Sequence, residues 1–103
     1  MIKNINMKRV VGEFAENKDV AKRLRVGKII PALSKGNEIV LDFKGVNGAT
    51  QSFIHALISE PIRKFRNIAF DSLVYKNANE DIREIISIVY RYMQESLDGS
   101  SQG

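Results

Sequence analysis

The amino-acid sequence predicts one α/β domain with a small, mainly parallel sheet, and three observations carry that expectation. Strand-like and helix-like segments alternate strand–helix three times along the chain, the order that yields parallel strands joined by helical crossovers. The run Glu38-Ile39-Val40-Leu41-Asp42-Phe43 is almost continuously apolar over a strand's length, the pattern of a strand covered on both faces. A chain of 103 residues cannot divide its apolar side chains between two useful cores.

The first strand is expected within residues 2–14, from Met7 to Phe14, where the β-branched pair Val10-Val11 carries the signal. Asn17-Lys18-Asp19 then supplies an N-cap and early negative charge for a helix, and Val26, Ile29, Ile30 and Leu33 follow helical spacing. Gly27 and Pro31 weaken this helix, so a kinked helix and a loop followed by a shorter helix both stay open. Lys35-Gly36-Asn37 is its stop signal. After the apolar strand, Lys44 to Gly48 reads as a loop containing two glycines. Thr50 is placed to cap a helix from about Gln51 to Phe65, with Ile54, Leu57, Ile58, Ile62 and Phe65 facing inward and a kink expected at Pro61. Leu73 to Lys76 is a short third strand. Asn79 caps the last helix, Glu80 and Asp81 suit its positive end, and Ile82, Ile85, Ile86, Val89 and Met93 form its core stripe. Residues 1–95 thus read as one domain, and the Ser- and Gly-rich 96–103 as a frayed tail.

Composition narrows the function. At 44% hydrophobic and 27% charged residues, the chain is neither disordered nor collagen-like. With no cysteine, disulfides, zinc ribbons, iron–sulfur clusters and thiol catalysis are excluded, and the single histidine limits His-based chemistry to one residue. No run reaches the length of a transmembrane helix, and Met-Ile-Lys-Asn does not open a signal peptide, so a cytoplasmic protein is expected. The net charge of +4 is unevenly spread. Residues 1–28 carry eight basic side chains against three acids, while the remaining 75 carry eight basic and nine acidic ones. The positive charge belongs to the first quarter of the chain.

Candidate chemistry is sparse. Ser52 and His55 are three apart on one helix with no third group to orient the imidazole, which favours a structural histidine over a nucleophilic pair. Asp42 reads as a carboxylate bonded to the loop after it rather than as a cation ligand or proton acceptor. Gly45 and Gly48 lack the residues that complete a phosphate-binding fingerprint, so a tight turn is the better account. Glu80, Asp81 and Glu84 resemble a capping cluster more than a metal site. No cofactor, metal or catalytic constellation is expected. On a helix, Lys18, Lys22 and Arg25 would share one side; no aromatic residue lies between Phe14 and Phe43 to stack on bases, so a solvated face or an acidic-protein contact is preferred to nucleic acid.

The junction Glu38-Ile39-Val40-Leu41-Asp42-Phe43-Lys44-Gly45-Val46, followed by Thr50-Gln51-Ser52-Phe53, resembles the bacterial STAS-like family, small relatives of the sulfate-transporter and anti-sigma-factor-antagonist domain. Asp-Val-Ala-Lys-Arg before it and Asn-Ala-Asn-Glu-Asp-Ile after it look like the same family, so that the resemblance covers about residues 7–95. It implies an α/β sandwich with three or so helices packed mostly on one face of a small, mainly parallel sheet. It further implies a non-enzymatic regulatory module that binds a partner protein, with a GHKL-type ATPase or kinase as the class the better-known STAS domains dock onto. Those domains are switched by a phosphorylated serine at the start of the helix after this strand; here Gln51 occupies that position, flanked by the possible phosphoacceptors Thr50 and Ser52. Asn47, Gln51, Ser52, Phe53 and His55 are accordingly the candidate partner-binding residues, with the ring of Phe53 either an exposed anchor or buried against the last helix. Ile88 and Tyr92 lie beside the last helix's core stripe, and homodimerisation through them is left open. The alternative function is a basic nucleic-acid-binding adaptor that uses the N-terminal positive charge.

Overall fold

The structure, a computed structural model, describes the backbone of residues 1–101 and the side chains of residues 1–96. Its main sheet has three parallel strands: β3 (Glu38–Asp42) in the centre, β1 (Ile2–Asn6) on one side and β5 (Leu73–Lys76) on the other. The small parallel sheet expected from the strand–helix alternation is therefore present. Central position explains the apolar run. Ile39 and Leu41 face the core and are wholly buried, while Val40 on the opposite face is 8% exposed between Asn4 of β1 and Val74 of β5. Ile5, Ile39, Leu41 and Leu73 share one hydrophobic cluster with side chains from the helices. Across the sheet, Asn4, Asn6 and Lys76 are exposed, so the helices cover mainly one face.

The first strand lies earlier than the sequence predicts. Met7 to Val11 is a short helix, α1, and only Phe14–Ala15 of the expected Met7–Phe14 strand is extended. Local hydrogen bonding outweighs β-branched propensity here: Asn6 Oδ1 accepts from the Arg9 backbone N–H at 3.2 Å, and Gly12 at φ +77° ends the helix. The turn buries Met7 completely and packs Val11 against the core. Phe14–Ala15 forms β2, which pairs in parallel with β4 (Gly48–Ala49), a two-residue strand that starts on the last residue of the expected loop.

Asn17 caps α2 (Lys18–Leu24) as the sequence predicts, its Oδ1 accepting from Asp19 N–H at 2.9 Å. Of the two alternatives open for Gly27 and Pro31, the loop does not form and the helix stays continuous. The helix runs on through a π-helical turn, Arg25–Ile29, into α3 (Ile30–Ser34). Pro31 has no N–H to give the Gly27 carbonyl; the chain instead bonds Ile30 N–H to the Arg25 carbonyl, five residues back. The wider turn changes the helical phase, so Ile29 and Leu33 are buried while Val26 is 55% exposed.

Thr50 caps α4 (Gln51–Phe65), which buries Ile54, Leu57, Ile58 and Ile62 completely and includes Pro61 as an interior residue. α5 (Asn67–Ser72) leads into β5, and Asn79 caps α6 (Glu80–Ser101) by accepting from Ile82 N–H at 2.9 Å. Ile82, Ile86, Val89 and Met93 of α6 are buried, and this helix packs along α4. The expected fraying of 96–103 falls mostly on residues whose side chains lie outside those described; the backbone is helical to Ser101. No helix among the described residues is long and apolar enough to cross a membrane.

Candidate functional site

The junction between β3 and α4 is held by a continuous set of hydrogen bonds. Asp42, at the end of β3, accepts through Oδ1 from the Lys44 backbone N–H and from Asn77 Nδ2, both at 3.0 Å. The Asn77 amide first, and then the Lys44 N–H, hold the Asp42 carboxyl below the usual aspartate range, with the Lys76 and Lys44 charges adding to them. The carboxylate thus serves the following loop, as its sequence context suggests. A turn follows, closed by Val46 N–H on the Phe43 carbonyl at 2.9 Å, with Gly45 at φ +84°. That angle is the one a type II turn places at its third residue, where glycine is least strained. Gly48 is needed for a different reason. A Cβ there would stand 2.9 Å from Phe14 Cε1, so the ring lies directly on the glycine. The two glycines serve a turn and a close approach, not a phosphate cradle.

The rest of the loop is tied to distant segments. Asn47 N–H donates to the Glu13 carbonyl at 2.7 Å, and the Asn47 carbonyl accepts from Asn79 Nδ2 at 2.7 Å. Thr50 N–H donates to the Ala15 carbonyl at 2.9 Å, while Thr50 Oγ1 accepts from Phe53 N–H at 3.0 Å. The approach to α2 therefore holds both the loop and the N-cap of α4, and the start of α6 holds the loop. Polar main-chain groups in this loop are largely satisfied.

The candidate residues separate on this scaffold. Gln51, Ser52 and His55 are exposed and, with Ala56 and with Lys18 from α2, line a shallow depression of about 480 Å³. Asn47 is also exposed but lies in the loop, outside that depression. Phe53 needs correction as a contact residue: it is completely buried, part of the core and not an exposed anchor. An exposed aromatic beside His55 is Tyr92 on α6, 60% exposed, whose ring meets the imidazole edge-on with centroids 6.1 Å apart. Ile88 is half-buried. Of the two hydroxyls considered as phosphoacceptors, that of Thr50 is engaged in the cap and half-buried, whereas Ser52 is exposed. Among the described residues no three His, Asp or Glu side chains gather into a metal-binding group.

The basic face expected of Lys18, Lys22 and Arg25 loses its last member. Arg25 turns inward onto α4, where Nη1 donates to the Ala56 carbonyl at 2.8 Å and Nε lies 3.0 Å from Glu60 Oε2. The second contact is an ion pair by distance only, because the Nε–H is not aimed at the carboxylate. The Ala56 carbonyl is one residue before that of Leu57, the group Pro61 cannot bond, so the guanidinium reinforces α4 where its own ladder is interrupted. Lys22 and Arg23 remain exposed.

Sequence reasoning did not bring Lys18 and Tyr92 to the junction, nor Asn77 and Asn79 to the loop. The Asn79 cap itself was legible; its second bond, to a carbonyl 32 residues earlier, was not.

In comparison with known proteins, a family model described as "STAS-like domain of unknown function (DUF4325)" matches residues 20–83. That span holds the whole β3–loop–α4 junction and is narrower than residues 7–95. β1, which precedes it, and most of α6, which follows it, pack into the same hydrophobic cluster as the matched elements. No curated protein and no solved structure matches the chain.

Proposed function

The chain belongs to the family of STAS-like domains of unknown function, and on that footing we propose that it is a non-enzymatic regulatory module that docks a folded partner protein on the α4 side of its junction. One observation carries this reading: the first turns of α4, anchored by a fully bonded loop, present exposed polar side chains beside an exposed tyrosine. The main chain from Asp42 to Thr50 is held by bonds to three other segments, so little order has to be acquired on binding. Gln51, Ser52 and His55 then offer donors and acceptors around the depression, and Tyr92 offers a large amphipathic ring of the kind enriched in interface anchors. A GHKL-type ATPase is the partner class implied by the family resemblance. Calorimetry against such an ATPase, taken from the neighbouring genes, tests the proposal. Saturable binding that weakens at least about tenfold in Tyr92→Ala and in Ser52→Glu is expected. A folded protein that does not bind, or binds equally well with both changes, overturns it.

The exposure of Ser52 favours a second reading, in which a phosphoryl group on its hydroxyl switches that contact near the cationic Lys18. Incubation with ATP and the partner kinase, read by intact mass, should add one phosphate that Ser52→Ala removes and Thr50→Ala retains. Retention in Ser52→Ala rejects it.

A further inference from the structure

On another part of the molecule, a groove of about 540 Å³ runs along β1 between that strand, α1 and the helix Lys18–Leu24 with its π-helical extension. Lys3, Arg9, Lys28 and Lys35 line it and are all exposed, and among the described residues no acidic one lines it. The ion pair found among the described residues, Arg25 with Glu60, involves none of these four cations. Leu24, Ala32 and Ile39 supply an apolar floor.

The wall opposite the helix is an unpaired strand edge. β1 is at the margin of the sheet and, among the described residues, pairs only with β3. The Glu38 N–H donates to the Met1 carbonyl, which sets the alternation of the parallel ladder. In that alternation Lys3 and Ile5 bond to β3, while the main-chain groups of Ile2 and Asn4 and the N–H of Asn6 point away from the sheet. Among the described residues these outward groups have no hydrogen-bond partner. An exposed strand edge of this kind is a template for a further strand.

We propose that this groove binds an extended acidic segment of a partner protein, added along β1 as a fourth strand. The main chain of the segment would pair with Ile2, Asn4 and Asn6, and its carboxylates would meet Lys3, Arg9, Lys28 and Lys35. Main-chain pairing supplies affinity, and the four cations with the apolar floor select an alternating acidic–apolar sequence. The chemistry favours a peptide over nucleic acid, because an unpaired strand edge matches a peptide backbone and no aromatic ring lines the groove to stack on a base. It also disfavours a second copy of the chain, since edge-to-edge pairing would bring two sets of four cations together. The proposal does not rest on the junction docking a partner.

Gly27 offers a clean test. It lines the groove on the π-helical turn, and a Cβ built there meets no atom within 4 Å, so a side chain at this position starts in open space beside the groove. The probe is a fluorescent peptide of alternating glutamate and valine, measured by anisotropy with the full-length protein; a lysine–valine peptide and an oligothymidine serve as competitors. Binding is expected to weaken with salt and to fall at least about tenfold in Gly27→Gln and in the Lys28→Glu, Lys35→Glu double variant. Amide resonances of Ile2, Asn4 and Asn6 should shift on titration, while those of Gln51 and His55 stay in place. Four results overturn the proposal: equal binding of the lysine peptide, tighter binding of oligothymidine, amide shifts confined to other elements, or a β1-mediated dimer seen by sedimentation without peptide.

Discussion

The two candidate surfaces are opposites in what they leave unsatisfied. At the junction the main chain is bonded: Lys44, Asn47 and Thr50 all have partners between 2.7 and 3.0 Å, and what stays exposed is side chains. Along β1 the arrangement is reversed. There, among the described residues, the outward main-chain groups are unpaired, and the side chains around them carry positive charge with no facing carboxylate. A surface of the first kind suits a folded partner, because it is rigid and recognises by shape and side-chain contacts. A surface of the second kind suits an extended chain, whose own main chain completes the bonding.

Substitutions can break this comparison, beginning with the largest effect. Phe53→Ala removes a completely buried ring just beneath the junction and should cost about 3–5 kcal/mol in chemical denaturation. Tyr92→Ala, on an exposed ring, should change stability by no more than about 0.5 kcal/mol. Similar losses for the two would mean that Tyr92 is structural and not an anchor. Next comes Asn79→Ala, which removes both the α6 cap and the bond to the Asn47 carbonyl and should cost about 1–2 kcal/mol. Asn79→Asp keeps the cap and loses the amide donor, so its smaller loss isolates the contribution of the loop contact.

On the groove side the expected sign is reversed. Gly27→Ala, at a helical position with open space around it, should raise stability by about 0.5–1 kcal/mol. A loss instead would show that the π-helical turn needs glycine for the conformation of its backbone. The smallest effect concerns Asp42, whose carboxyl is held below the usual range in the folded state. A depressed value means that the carboxylate stabilises the fold above the unfolded aspartate pKa of about 3.9 and that this contribution is lost as pH falls through the folded value. Asp42→Asn should therefore flatten the acid limb of a stability–pH curve and leave its shape near neutrality unchanged. An unaltered acid limb would remove Asp42 from the set of bonds that order the junction.

The sequence was informative wherever one residue's chemistry acts on its near neighbours. Asn17, Thr50 and Asn79 cap their helices because a short polar side chain reaches an N–H two or three residues on. The apolar run of β3 and the stripes of α4 and α6 were legible for a related reason: burial repeats with the period of the element. β1 escaped because an edge strand with only Ile5 buried has no alternation to read. The π-helical turn escaped because it is one of several ways to accommodate Gly27 and Pro31, and packing onto α4 decides among them. Phe53 stands one residue before Ile54 on α4 and outside the predicted stripe, yet it is as buried as that stripe. A helix gripped by neighbours on two sides buries a wider arc than one apolar stripe predicts.

By itself, then, the sequence determined the α/β order, the central strand, the three caps and the family's junction. Tertiary structure alone decided that Arg25 turns inward to a carbonyl 31 residues away, that Asn77 reaches Asp42 across 35, and that four cations of the first third converge on one strand edge. Caps and periodicity are short-range and are written in adjacent residues. Partners brought together across 30 or more positions depend on how the whole core closes.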